Sequence, residues 1–327
     1  MNKYKQAKAA SDPHTSPDRL AELAKDESEY VRRAVAGNEG APQKVLTWLA
    51  KDKDWRVRCG VGKNPSTPPG VLVALAKDEI WLVREAVGEN LFTPPDTLAV
   101  LAHDEDEDVC RVVRWNPATP PDILAKLAND ESWRVRGGVG GNPSTPTKTL
   151  VRLATDANRY VRWAVATNKS TPSNILARLA KDKKELVRQG IAQNPTTPSQ
   201  ALARLANDDS QWVRRALAEN PSVSIEVLTQ LADDKNYWVR RGASSNLHTP
   251  PDILARLAKD KNRFVRSGVA RNPATPSNIL ARLARDKDED VRKALKENPH
   301  VFTDLNQEGN ASIVSTTVPI SNTMEIN

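Results

Sequence analysis

The chain has 327 residues, of which 39% are hydrophobic and only 5% aromatic, with 27% charged and a formal net charge of +7. It has no apolar run of membrane-spanning length, and its start, MNKYKQAKAASD, lacks the apolar centre of a signal peptide. A soluble cytoplasmic protein is therefore expected, with no membrane partner. The two cysteines, Cys59 and Cys110, occupy different register positions, so no disulfide and no iron–sulfur cluster is expected.

Residues 1–11 show no periodicity and are expected to be an N-terminal tail. From Asp12 a period of 26 residues then runs through Asn38, Asn64, Asn90, Asn116, Asn142, Asn168, Asn194, Asn220, Asn246, Asn272 and Asn298. A fixed period of this kind means stacked units that pack on their neighbours, and it argues against a closed catalytic pocket. The Asn is counted here as position 1.

Within each unit, Thr at position 4 and Pro at position 5 predict an N-cap and a first-turn proline; each is present in nine of the eleven units from Asp12 to Asn272. Leu at positions 9 and 12 and Ala at position 13, present in all eleven, form one face of helix A, expected to be about ten residues long. Ser, Asp or Asn at position 17 predicts a second cap. Helix B follows, with Val at position 20 in every unit and a mostly β-branched residue at position 24. The next Asn closes helix B. Positions 23 and 25 are mostly small, which predicts close approach of neighbouring B helices and a stack curving with B inside.

Asp occupies position 15 in all eleven units, and Arg occupies position 21 in ten. This predicts a structural Asp–Arg ladder, the carboxylate taking backbone N–H groups and an Arg from its own or the next unit. The recurring Asn predicts a cap with a ladder of backbone bonds. The unit starting at Asn90 departs most. Cys110 replaces the ladder Arg, Val112 a small residue and Arg114 a Gly or Ala, and Arg111 or Arg114 is expected to reach Asp104 instead.

The combined pattern N-P-x-T-P-x3-L-x2-L-A-x-D-x4-V-R, over residues 12–298, resembles the leucine-rich repeat variant family, a short HEAT-like, all-helical bacterial repeat. The resemblance implies an all-α, right-handed superhelical αα-solenoid of about eleven repeats that serves as a non-enzymatic scaffold. HEAT-like relatives imply binding of proteins or, less often, nucleic acid. The cysteine-rich cluster-binding segment that some relatives carry at the N-terminus has no counterpart in residues 1–11, so no cofactor is expected.

Variable exposed positions are where function is sought. Positions 18, 22, 25 and 26 are expected to line the concave face, bringing together Trp55, Cys59 and Lys63, then Trp81, Glu85 and Glu89. Arg111, Arg114, Trp115, Trp133 and Trp163 follow, and further on Arg215, Arg241, Arg271 and Lys293. Exposed Trp beside Arg is the composition of a protein-binding hot spot. The aromatics of position 19, Tyr30, Tyr160, Trp212, Trp238 and Phe264, are expected to flank the core. A second row, Lys126, Arg152, Arg178, Arg204, Arg256 and Arg282 at position 11 of helix A, either follows a phosphate backbone or is a solvated helix surface. It contributes to the charge asymmetry: residues 1–116 carry 17 Lys/Arg against 19 Asp/Glu, a net of −2, and residues 117–327 carry 31 against 22, a net of +9.

No catalytic constellation is found: the four histidines are dispersed, and no HExxH, phosphate loop or nucleophile elbow is present. A HEAT-like DNA glycosylase would need a nonperiodic concave Asp beside Trp, which is lacking. Residues 299–327 are expected to be a flexible Ser/Thr/Asn-rich tail. The leading expectation is thus a monomeric scaffold for a protein or peptide on the concave face, without a small-molecule substrate. The alternative is nucleic-acid binding through the basic C-terminal two-thirds.

Overall fold

The computed structural model describes residues 3–300, which form 23 helices and no strand. The chain divides into two compact units, residues 1–175 and 176–327. Unit 1 begins with α1 (Lys3–Ser11), α2 (Pro17–Leu23), α3 (Glu29–Ala36), α4 (Gln43–Leu49), α5 (Trp55–Lys63), α6 (Pro69–Leu75) and α7 (Trp81–Glu89). It continues with α8 (Pro95–Leu101), α9 (Glu107–Trp115), α10 (Pro121–Leu127), α11 (Trp133–Gly141), α12 (Thr147–Leu153) and α13 (Arg159–Thr167). The boundary falls inside α14 (Ser173–Leu179). Unit 2 comprises α15 (Glu185–Gln193), α16 (Ser199–Leu205), α17 (Gln211–Ala218), α18 (Ile225–Leu231) and α19 (Tyr237–Ser245), then α20 (Pro251–Leu257), α21 (Arg263–Arg271), α22 (Ser277–Leu283) and α23 (Glu289–Leu295). Even-numbered helices are helix A and odd-numbered ones helix B, so each unit is a run of αα-hairpins packed in sequence.

Helices this short would not persist alone. They are held by the apolar stripe: the position-9 leucines, from Leu20 to Leu280, and the position-20 valines, from Val31 to Val291, are buried throughout. Helix A is seven residues long, shorter than expected, because the Ala at position 13 already leads into the turn. Its cap also differs by one residue. Pro68 and Pro120 at position 5 are the N-cap residues of α6 and α10. The position-4 threonine does not cap helix A; it donates its hydroxyl to a carbonyl at the end of the preceding helix B, as Thr67 does to Val61 at 2.6 Å. Where position 5 is serine, Ser16 and Ser224, the side chain accepts from Arg19 and Val227 and caps the helix itself. Position 17 is the N-cap of helix B, and Asp54, Asp106, Asn158, Ser210, Asn236, Asn262 and Asp288 each accept a backbone N–H of helix B there, whereas Ser28 and Ser132 make no side-chain cap bond.

The principal contacts within each unit run from one B helix to the next. Small residues permit this. A Cβ on Gly60 would come within 3.0 Å of Ala36 Cβ, and one on Gly242 within 2.9 Å of Ala218 Cβ. The N-terminal tail expected over residues 1–11 is instead largely helical: α1 packs against α3 in the place of a B helix, burying Ala10 completely. The position-20 valine is replaced there by Lys5, which hid the helix from the pattern. The other expected tail, over residues 299–327, falls almost wholly outside the described residues.

Two ladders tie successive hairpins. Within each unit the ladder Asn donates its amide to two carbonyls of earlier repeats, Asn64 to Ala36 at 2.7 Å and to Asn38 at 2.8 Å, and accepts a backbone N–H of its own turn, as Asn64 does from Ser66 at 2.8 Å. In the second ladder the Arg reaches forward. Arg58 Nε and Nη2 grip the Asp78 carboxylate at 2.6 and 2.9 Å, while its Nη1 donates to the Asp52 carbonyl at 2.8 Å. The same bidentate contact joins Arg32 to Asp52, Arg84 to Asp104 and Arg136 to Asp156 in unit 1. In unit 2 it joins Arg188 to Asp208, Arg214 to Asp234, Arg240 to Asp260 and Arg266 to Asp286. Burial acts to raise the Asp260 carboxyl, but the Arg240 hydrogen bond and the bond from the Asn262 backbone N–H outweigh it and hold the group below its ordinary value.

Candidate interaction surface

Helix B turns positions 18, 19 and 26 and most of position 22 outward (Gly137 and Ser267 are buried), positions 20, 21 and 24 towards helix A and the turns, and positions 23 and 25 towards neighbouring B helices. At about 100° per residue this follows from the helix period once Val at 20 and 24 face the core. Two expectations are corrected. Position 25 is buried, not outward: Ala36, Ala166, Ala218 and Ala270 are fully covered, and Arg114 is only 3% exposed. Position 19 is outward, not against the core: Tyr30, Tyr160, Trp212 and Phe264 are exposed.

Most other candidates lie on this outward face. In unit 1, Trp55 is half-buried under the Arg56 guanidinium, 4.7 Å from its ring centroid, and Lys63 is exposed and paired with Glu89 at 2.8 Å. Trp81 is exposed. Arg111 is held by Glu85 at 3.1 Å and Asp108 at 3.0 Å. Trp115 is half exposed, and Trp133 stacks on Tyr160 at 5.1 Å, with Trp163 half-buried. In unit 2, the guanidinium groups of Arg215 and Arg241 each lie 5.2 Å from the Trp238 ring, which stacks on Phe264 at 6.2 Å. Trp238 and Phe264 were missed as surface residues, although their 100° offset from position 18 marks the same face.

Arg114 does not reach Asp104, and neither does Arg111; Asp104 is already taken by Arg84. The ladder gap falls one repeat later. Cys110 donates its thiol to the Asp104 carbonyl at 3.1 Å, the bond a ladder Arg would make, and leaves the Asp130 carboxylate without its ladder arginine. The Asp130 carboxylate takes the Ser132 N–H at 2.8 Å. Arg114 passes over Gly138, and its Nε is buried without a hydrogen-bond partner, so burial pushes its guanidinium below its ordinary pKa. Burial also raises both Cys59 and Cys110 above the ordinary thiol range, keeping them protonated at neutral pH.

The helix-A row is exposed, but several of its members bond back to the protein. Arg152 donates to the Asn129 amide oxygen, Arg256 pairs with Asp233 at 3.2 Å, and Arg282 donates to the Ala255 carbonyl at 3.3 Å. Lys126, Arg178 and Arg204 are exposed. Among the described residues no helix is long and apolar enough to cross a membrane, and no group of three or more His, Cys, Asp or Glu could hold a metal ion.

These features define a helical-hairpin repeat protein with two internal ladders. Residues 5–61 match the family described as Leucine Rich Repeat Variant domain, and residues 263–288 match that described as Leucine rich repeat variant. The matched segments lie in different units yet share one 26-residue register with the repeats between them. The two matched segments are leucine-rich repeat variant repeats. It is similar to a solved leucine-rich repeat variant with a novel repetitive structural motif, at 25% identity over 68% of this chain and 87% of that one, with a TM-score of 0.45. An engineered protein is similar at 16% identity over 93% of this chain and 99% of its own, with a TM-score of 0.31. The Escherichia coli protein YibA is similar at 17% identity over 91% and 96%, with a TM-score of 0.30. No curated protein matches the chain.

Proposed function

We propose that this repeat protein is a non-catalytic interaction module that takes a protein or peptide partner on the outward face of its B helices. One observation carries this reading: large apolar side chains, among them Trp81, Trp115, Tyr160, Trp212 and Phe264, stay exposed on that face although the core beneath is closed. Aromatic residues beside arginine, on a rigid support, suit the anchoring residues of a protein interface. The alternative, a phosphate backbone lying along the helix-A row, is less well supported. Arg152, Arg256 and Arg282 are engaged by neighbouring repeats, which is how solvated cations on a helical surface behave.

The test is capture from lysate with and without nuclease treatment, by the wild-type chain and by the double variant Trp115→Ala, Trp163→Ala. The expected result is a protein retained after nuclease treatment and lost from the double variant. Retention that disappears on nuclease treatment, with a steep salt dependence, would instead assign the chain to nucleic acid.

A further inference from the structure

At the start of unit 1, α1 and α3 enclose an open groove of about 610 Å³. The register explains it. Because α1 takes the place of a B helix, Tyr4 falls one repeat before Tyr30, at position 19, and Ala7 one repeat before Arg33, at position 22. Both tyrosines line the groove and stay open to solvent, Tyr4 at 73% and Tyr30 at 61% exposure. Ala7 leaves the space between the helices, since larger side chains, Arg33, Cys59, Glu85 and Arg111, follow at its position in the next repeats. Ala34 of α3 adds a second small apolar surface to the lining.

The charge of the groove has one sign. Lys3, Lys8 and Arg33 line it together with no Asp or Glu, and none of the three forms an ion pair among the described residues. Elsewhere on the outward face such cations are met by a carboxylate of the neighbouring repeat: Lys63 by Glu89 at 2.8 Å, Arg111 by Glu85 at 3.1 Å and Arg271 by Glu297 at 2.6 Å. The corresponding positions of α1 hold Ala7 and Ser11, which cannot supply one. Instead the Lys3 ammonium sits over the two tyrosine rings, 5.5 Å from the Tyr4 centroid and 5.8 Å from that of Tyr30. Aromatic surface beside unanswered cations favours a ligand that brings both apolar area and negative charge. An inorganic phosphate would leave the tyrosine and alanine surfaces wet. A nucleobase would first have to displace Lys3 from the rings before it could stack. A protein segment has to do neither, because its carboxylates can meet the cations while an apolar side chain covers the tyrosines and alanines.

We infer that the groove between α1 and α3 docks an acidic protein segment carrying a large apolar side chain. This rests on the proposed function and adds a site on the same face and the partner's chemistry. The test uses the full chain as bait for a display library of random twelve-residue peptides, with enriched peptides then measured by fluorescence anisotropy. Lys8→Glu with Arg33→Glu reverses two cations of the groove, and Tyr30→Ala removes one of its rings. Lys126→Glu with Arg204→Glu makes the same charge change on the helix-A row, away from the B face. All five side chains are exposed, so the melting temperature should stay that of the wild type. The expected result is a set of peptides combining Asp or Glu with a large apolar residue. Their affinity should fall about tenfold or more on Lys8→Glu with Arg33→Glu, fall severalfold on Tyr30→Ala, and change less than about twofold on the helix-A variant. No enrichment, peptides without acidic residues, indifference to either groove variant, or an equal loss on the helix-A variant would each overturn the inference. Acidic peptides indifferent to the groove variants but lost on Trp81→Ala would overturn it and leave the proposed function standing. Retention of a labelled dT20 oligonucleotide with no peptide enriched would overturn both.

Discussion

The junction between α9 and α11 and that between α19 and α21 are built from the same repeat positions and are held differently. Between α19 and α21, Arg240 reaches forward to Asp260 at 2.6 Å, and Gly268 lies against Ser244. Between α9 and α11 the arginine is Cys110, the small residue is Arg114, and the Asp130 carboxylate takes the Ser132 N–H of its own turn in place of an arginine. Both junctions keep the asparagine ladder. Asn142 donates to Arg114 and Asn116 as Asn272 does to Ser244 and Asn246, at 2.8–2.9 Å. The asparagine is therefore the invariant tie and the arginine an optional one. At the junction where the arginine is missing, the bulk moves outward as Trp115 and the neighbouring helix gives way as Gly138 and Gly141. The irregular joint is also where the candidate surface is most developed.

The largest effect is expected where every ladder pair is disturbed at once, in acid. The native carboxyls of Asp52, Asp78, Asp104, Asp156, Asp234, Asp260 and Asp286 lie below their ordinary values, mainly because the hydrogen-bonded arginine overcomes the opposing effect of burial. Depressed carboxylates contribute stability that is present above the unfolded value of about 3.9 and lost as pH falls through the native one. Urea unfolding should therefore be nearly constant between about pH 5 and 8 and weaken steeply below about pH 4. An unfolding midpoint unchanged at pH 3 would remove the ladder as a source of stability.

Single pairs come next. Arg240→Ala strands a buried carboxylate and should cost about 3–5 kcal/mol in urea unfolding, with the loss centred on unit 2. Cys110→Arg, combined with Arg114→Gly to remove the crowding cation, should restore the missing tie and stabilise unit 1 by about 1 kcal/mol. It should also add one more acid-sensitive carboxylate. If Cys110→Arg is destabilising in that background, the irregular joint is not a regular one with a part missing.

Much of this was legible in the sequence because each repeat states the same constraint again. The valines at position 20, the leucines at 9 and 12 and the Asp–Arg pair placed the core and the ladder. Among the features misread, three have a local cause. The threonine of position 4 resembles an N-cap, but its hydroxyl bonds to the carbonyl of the preceding helix, as Thr67 to Val61, and only the spatial return of the chain reveals that. Position 25 looks outward on an isolated helix. It is covered by the next B helix, so Arg114 is buried rather than part of the surface. Position 19 carries aromatics that look like core, yet lies about 100° from position 18 on the exposed side. The site's aromatic and basic character could be read from sequence. That the Trp115 ring lies against Gly141 could not, since it depends on how α9 and α11 pack.

The central claim is that the B face, and not the helix-A row, meets the partner. Hydroxyl-radical footprinting of the full chain with its captured partner tests it most directly. Protection of Trp115, Trp133, Tyr160 and Trp163, with Lys126, Arg152 and Arg204 as reactive as in the free chain, is the predicted result. Protection of the helix-A row with the B-face aromatics unchanged would contradict it.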